Sequence, residues 1–80
     1  MKARIKVTLK EGVLDPQGKA IENALANLGF AGVRDVRQGK YIELSLDAVD
    51  EASARRQVEQ ICRDLLANTV IETYAYELAP

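Results

Sequence analysis

Apolar and polar positions alternate at the start of the chain. Ala3, Ile5, Val7 and Leu9 fall on one face, and Lys2, Arg4, Lys6, Thr8 and Lys10 on the other. A period of two predicts a half-buried strand. Glu11-Gly12 ends it, since glycine enters turn conformations that other residues resist. The period then changes. Asp15-Pro16 has the chemistry of a helix start: a carboxylate that accepts from first-turn amides, then a residue with no amide hydrogen to leave unpaired. Ile21, Ala24, Leu25 and Leu28 recur at helical spacing, and Gly29 is a natural stop, so a helix is expected over 16–28.

Val33 to Arg37 predicts a short strand, Gln38-Gly39 a hairpin turn, and Lys40 to Asp47 a longer strand with Ile42, Leu44 and Leu46 on its apolar side. A second helix is expected from Asp50 to Ala67. Asp50 caps it, and Ala54, Val58, Ile61, Cys62, Leu65 and Leu66 form its buried stripe, with Asn68 as a left-handed stop. Val70 to Leu78 predicts a last strand with Tyr74, Tyr76 and Leu78 inward. Glu72 falls on the tyrosine side, which calls for a bulge or an exposed strand end.

The order βαββαβ predicts a single domain, residues 1–80, of the α+β class: a ferredoxin-like sandwich with two helices on one face of a four-stranded antiparallel sheet. That topology sets the first strand beside the third. Lys2, Arg4 and Lys6 would then face Glu43 and Asp47, so cross-strand pairing accounts for much of the basic face without a ligand.

Composition narrows the chemistry. Lys and Arg total 11 and Asp and Glu 12, which gives a net charge of −1 and no electrostatic footprint for general nucleic-acid binding. No apolar run reaches the roughly 18 residues of a membrane span, and the start alternates instead of forming a signal-peptide core. Histidine is absent, which excludes imidazole triads and His-liganded metals within this chain. One cysteine, Cys62, permits no internal disulfide and fits a reducing cytoplasm. At 80 residues the core is thin, and self-association is expected through sheet edges or the face without helices.

Each candidate site has a simpler explanation. Lys10, Gly12 and Lys19 surround a helix start, but Gly12…Gly18 lacks the Gly-Lys-Ser/Thr ending of a nucleotide loop; a turn and cap suffices. Cys62 lies within an apolar stripe with no histidine to activate it, so it is core. Asp47, Asp50 and Glu51 cluster where a strand meets a helix, and capping explains them without Mg²⁺. Tyr41, Tyr74 and Tyr76 lack the basic surround of an RNA-stacking sheet. No catalytic, cofactor-binding or metal-ligating residue is expected.

Three stretches together resemble the PurS family: Val7-Thr8-Leu9-Lys10-Glu11-Gly12-Val13-Leu14-Asp15-Pro16-Gln17-Gly18, then Val36-Arg37-Gln38-Gly39-Lys40, then Leu65-Leu66-Ala67-Asn68-Thr69-Val70-Ile71-Glu72. Thr69 departs from the proline common in the family, which loosens a turn and touches no catalytic group. The resemblance implies the small subunit of phosphoribosylformylglycinamidine synthase, a glutamine amidotransferase and ligase complex of purine biosynthesis. In that family a large synthetase subunit uses ATP and Mg²⁺, and a glutaminase subunit releases ammonia. The small chain dimerises, joins the other two and is required for activity, but supplies no catalytic residue. Docking is expected at Gly12, Val13, Leu14, Asp15, Pro16, Gln17 and Gly18, a preordered turn carrying two apolar residues; alternatively Val13 and Leu14 merely cover the sheet edge. The competing functional class is an ACT-like regulatory module that binds a small molecule, as other ferredoxin-like domains do.

Overall fold

Strand β1, Lys2–Leu9, forms where the alternation predicts it, with Ala3, Ile5 and Val7 almost wholly buried and Lys2, Arg4, Lys6 and Thr8 exposed. The computed structural model describes residues 1–80. Helix α1 covers Pro16–Asn27, strand β2 Gly39–Ser45, helix α2 Glu51–Ile61 with a wider π turn over Cys62–Leu66, and strand β3 Glu72–Ala79. The sheet is antiparallel in the order β2-β1-β3.

Both helix starts follow their sequence signals. The Asp15 side chain accepts from the amide of Gly18, with Pro16 at the first helical position, and the Asp50 side chain accepts from the amide of Ser53. The α1 end is equally local: Gly29 takes φ +98°, Gly29 N–H donates to Ala26 O, and Phe30 N–H donates to Leu25 O.

The sheet has three strands, not four. Residues 33–37 form no strand, and Gln38-Gly39 is no hairpin turn, because Gly39 already opens β2 opposite Thr8. The physical reasons are specific. Asp35 sits at φ +60°, which a strand does not tolerate, and the Gln38 amide of the expected turn is taken up by Asp15. The expected neighbour relation is correct: β1 lies beside the strand containing Glu43, and Lys2 Nζ meets Glu43 Oε2 at 3.0 Å. Asp47 falls beyond the end of β2 and is not part of this pairing.

The core is one layer of helix on sheet. Val58, Cys62 and Ala67 cluster with Ala3, Ile5 and Val7, and the half-buried Ile42, Leu44, Leu46, Tyr74, Tyr76 and Leu78 surround them. Burying Ile5, Val7 and Val58 is worth roughly 1.5–3 kcal/mol each, against the entropy of ordering them. The inward stripe of α2 departs from the sequence pattern at one place. The amide of Ala67 donates to Cys62 O, five residues back, so the last turn is one residue wider. The stripe consequently passes from Cys62 to Leu66 and Ala67, and Leu65 turns out to solvent at 80% exposure. Asn68 is not left-handed; its side chain accepts from the Val70 amide. β3 starts at Glu72, not Val70, and needs no bulge: Glu72 pairs in register with Leu9, and its carboxylate accepts from the Asn68 amide.

The two helices do not share a face of the sheet. α1 leaves the sheet behind, and Gly18 is the one buried residue among its twelve. Ile21, Ala24 and Leu28, expected in the core, are exposed, and Leu25 is half-buried. The chain is therefore elongated, 50 × 26 × 14 Å, with a radius of gyration of 16.0 Å, where a compact chain of this length has about 12 Å.

Candidate functional site

The Gly12–Gly18 turn sits at the end of the sheet where β1 finishes. Lys10 N–H donates to Ile71 O, Val13 N–H donates to Lys10 O at 3.1 Å, and Gly12 takes φ +83° to reverse the chain. Leu14 is then left at 79% exposure and Val13 half-buried. Pro16 and Gln17 are also exposed, but Gly18 is buried and presents nothing outward.

Asp15 ties this turn to the segment before β2. Its Oδ1 accepts from Gly18 N–H at 2.8 Å and its Oδ2 from Gln38 N–H at 2.9 Å, while Gln38 Nε2 donates to Gln17 Oε1 at 2.9 Å. Arg37 closes the other side: its guanidinium donates to the carbonyls of Leu9 and Lys10, and its Nε lies 3.9 Å from Asp15 Oδ2. The amides of Gln38 and then Gly18, with Arg37 beside them, hold the Asp15 carboxyl below its ordinary range. A methyl on Gly18 would overlap the Val36 carbonyl and come 2.7 Å from Asp15 Oδ2, so only glycine allows the two segments to touch. A cleft of about 210 Å³ beside this joint is lined mainly by polar groups, among them Asp15, Gln17, Gln38, Lys40 and Glu72. Arg37 and Gln38 were invisible as partners of Asp15 in the sequence, since their neighbours Val33 and Val36 suggest a strand.

The other candidates resolve individually. Cys62 is buried, and burial pushes its thiol up, with Glu59 adding to the effect. Asp50 caps α2, and Glu51 pairs with Arg55 at 2.8 Å. No three acidic or thiol side chains group as metal ligands. Lys19 pairs with Glu22 at 3.6 Å. Tyr74 and Tyr76 both donate to Glu59, whereas Tyr41 stands on the opposite face of the sheet, so the tyrosines form no common platform. No helix is long and apolar enough to cross a membrane.

A thin helix-on-sheet core, a preordered turn and a helix with Ile21 and Leu28 exposed define a small α+β domain that leaves apolar surface uncovered. The family described as "PurS: Phosphoribosylformylglycinamidine (FGAM) synthase" matches residues 2–80. The phosphoribosylformylglycinamidine synthase subunit PurS of Synechocystis is 56% identical over 75 residues, which are 94% of this chain and 75% of that one. The crystal structure of Bacillus subtilis PurS superposes with a TM-score of 0.89 at 46% identity, covering 99% of this chain and 98% of the other. A chain in the structure of PurLQS from Thermotoga maritima superposes with a TM-score of 0.87 at 34% identity, covering 95% and 93%. The chain belongs to the PurS family. The ACT-like reading is not favoured.

Proposed function

We propose that this chain is the small, non-catalytic subunit of a phosphoribosylformylglycinamidine synthase, required for the activity of the assembled ligase. One observation carries the reading: the chain matches a component of a three-part PurLQS assembly over nearly its whole length. The reaction joins ammonia from glutamine to formylglycinamide ribonucleotide, with ATP and Mg²⁺ used by the large subunit and glutamine hydrolysed by the glutaminase. Ammonia released into water is protonated and diluted, and ammonium is no nucleophile. Coupling the two sites is a problem of position, which a rigid bridge solves without bond chemistry. The chain would do this work in the cytoplasm, a reducing compartment that its single, buried, unpaired Cys62 suits.

The partner surfaces follow from what one copy leaves open. Residues Gly12 to Gly18 would dock a partner subunit through Leu14 and Val13, held in place by Asp15, Pro16, Gln17 and the buried Gly18. Self-association would use α1. The sequence pattern points to sheet edges or the helix-free face, but the exposed Ile21 and Leu28, with half-buried Leu25 between them, support a different surface. Ile42 and Leu44 lie opposite Ile5 and Ala3, hence on the α2 side of the sheet, yet they remain half-exposed because α2 is tied to β3 through Glu59. α1 of a second copy would cover that row, and twofold symmetry would make the contact twice.

Reconstitution tests the assignment. Large and glutaminase subunits of the same organism are mixed with glutamine, ATP, ADP and formylglycinamide ribonucleotide, with and without this chain. Glutamine-dependent product formation should require it, and equal rates in its absence overturn the reading.

A further inference from the structure

We infer that Asp15 and Arg37 are positioning residues: together they lock the angle at which α1 leaves the sheet. The inference rests on the assembly role above for its consequence, but not for its geometry. Within its own copy α1 lacks the lateral packing that normally orients a helix: none of its residues belongs to the core cluster and only Gly18 is buried. Its direction must be set at its first turn. There Asp15 uses both carboxylate oxygens, one inside the helix on Gly18 and one across to Gln38, 23 residues away. Arg37, next to Gln38, reaches back to the carbonyls of Leu9 and Lys10 at the end of β1. The two connections that enter and leave the helix are thus stapled to each other and to the sheet. The Asp15 side chain is only 9% exposed, so it is occupied by the joint and not offered to a partner.

The lever is long. α1 has 12 residues, about 18 Å, so a tilt of about 10° at the joint moves its far end by about 3 Å. Docked surfaces that must keep two active sites in register do not tolerate such play. An ordinary helix cap needs only the Gly18 contact, and the Gln38 contact with the Arg37 clamp adds direction to it.

The test separates capping from positioning. Asp15→Ala removes both contacts, whereas Asp15→Ser restores a cap for Gly18 but cannot also reach Gln38. Spin labels on Asn27→Cys and Glu77→Cys, in a Leu28→Glu background that keeps a second copy off α1 and with labelled chain diluted into unlabelled chain, report the angle of α1; the buried Cys62 stays unlabelled. A single narrow distance is expected in the parent. At least a twofold broadening is expected in Asp15→Ser and in Arg37→Ala, while amide protection of β1 shows that the sheet stays folded. If Asp15→Ser is as narrow as the parent, the carboxylate is a simple cap and the inference falls. In the reconstituted complex, Asp15→Ser should lower the glutamine-dependent rate on the order of tenfold, and a parental rate likewise overturns the positioning role. The distance measurement needs no partner subunit, so it stands whether or not the assembly reading does.

Discussion

Tyr74 on β3 donates a 2.5 Å hydrogen bond from its hydroxyl to Glu59 on α2. The other carboxylate oxygen of Glu59, Oε1, accepts from Tyr76 at 2.9 Å, and Arg63, one turn on, lies 3.3 Å from Oε2, the oxygen that Tyr74 holds. Arg55, one turn earlier, sits 5.8 Å from the centre of the Tyr76 ring. Two tyrosines from one face of a strand thereby hold the helix above them by a single acid. The same contacts place α2 over β3 and leave the β2 side of the sheet less covered.

The Glu59 carboxyl is held below its ordinary 4.5 by the hydroxyls of Tyr74 and then Tyr76, against the opposing effect of burial. A lowered folded pKa means that the unfolded chain binds the extra proton first. The contribution is therefore present above about 4.5 and is lost as pH falls through the folded value. Tyr74 is raised above 10.0 chiefly by Glu59, and Tyr76 by burial and then Glu59. Their contribution is complete below 10.0 and is lost as pH rises through their folded values. The urea midpoint should be flat between these limits and fall at both ends. In Glu59→Gln the acid fall should be shallower; an unchanged acid limb contradicts the assignment.

Leu65 and Ile5 provide a contrast in stability. Leu65→Lys should change the unfolding free energy by no more than about 0.5 kcal/mol, because the side chain is already in water. Ile5→Ala, at a fully buried position, should lower it by about 2–5 kcal/mol. Urea unfolding at fixed chain concentration measures both. A large loss for Leu65→Lys would restore the regular α-helical register that the π turn replaces.

These contrasts show which features were legible in the sequence. β1, both helix starts, the Gly12 turn and the Gly29 stop are set by neighbours within a few residues, and each stands where its pattern places it. The pairing of Lys2 with Glu43 was legible as well, because charge complementarity constrains which strands can be neighbours. The rest depends on distant partners. Val33 and Val36 look like strand residues, but Asp35 between them takes φ +60° and Asp15, far off in the sequence, captures the Gln38 amide of the expected turn. The Ile21–Leu28 stripe is correctly amphipathic, yet periodicity does not say whether the apolar face meets its own sheet or another chain. Leu65 was misplaced by one inserted residue in a helical turn, for which the sequence carries no marker.

Self-association through α1 makes a direct prediction. Leu28 is 73% exposed in one copy and lies at the outer end of the stripe. Leu28→Glu adds charge where a second copy would bury it, without entering the core of its own chain. Sedimentation should show the parent as a dimer or larger and Leu28→Glu shifted toward monomer by at least tenfold in dissociation constant, with unchanged far-ultraviolet circular dichroism. A variant that sediments like the parent removes α1 from the interface.

Leu14 tests the docking turn in the same spirit but at the opposite end of α1. At 79% exposure it contributes almost nothing to its own core, so Leu14→Asp should leave folding and self-association intact. A desolvated aspartate would be costly in an apolar partner pocket, so assembly with the glutaminase and synthetase subunits should weaken by about tenfold or more. Co-sedimentation and glutamine-dependent product formation would fall together. Because the substitution leaves Asp15 and Arg37 untouched, α1 keeps its angle, and the loss would belong to the contact surface and not to the joint behind it. Normal assembly of Leu14→Asp would instead mean that Val13 and Leu14 only shield the edge of the sheet.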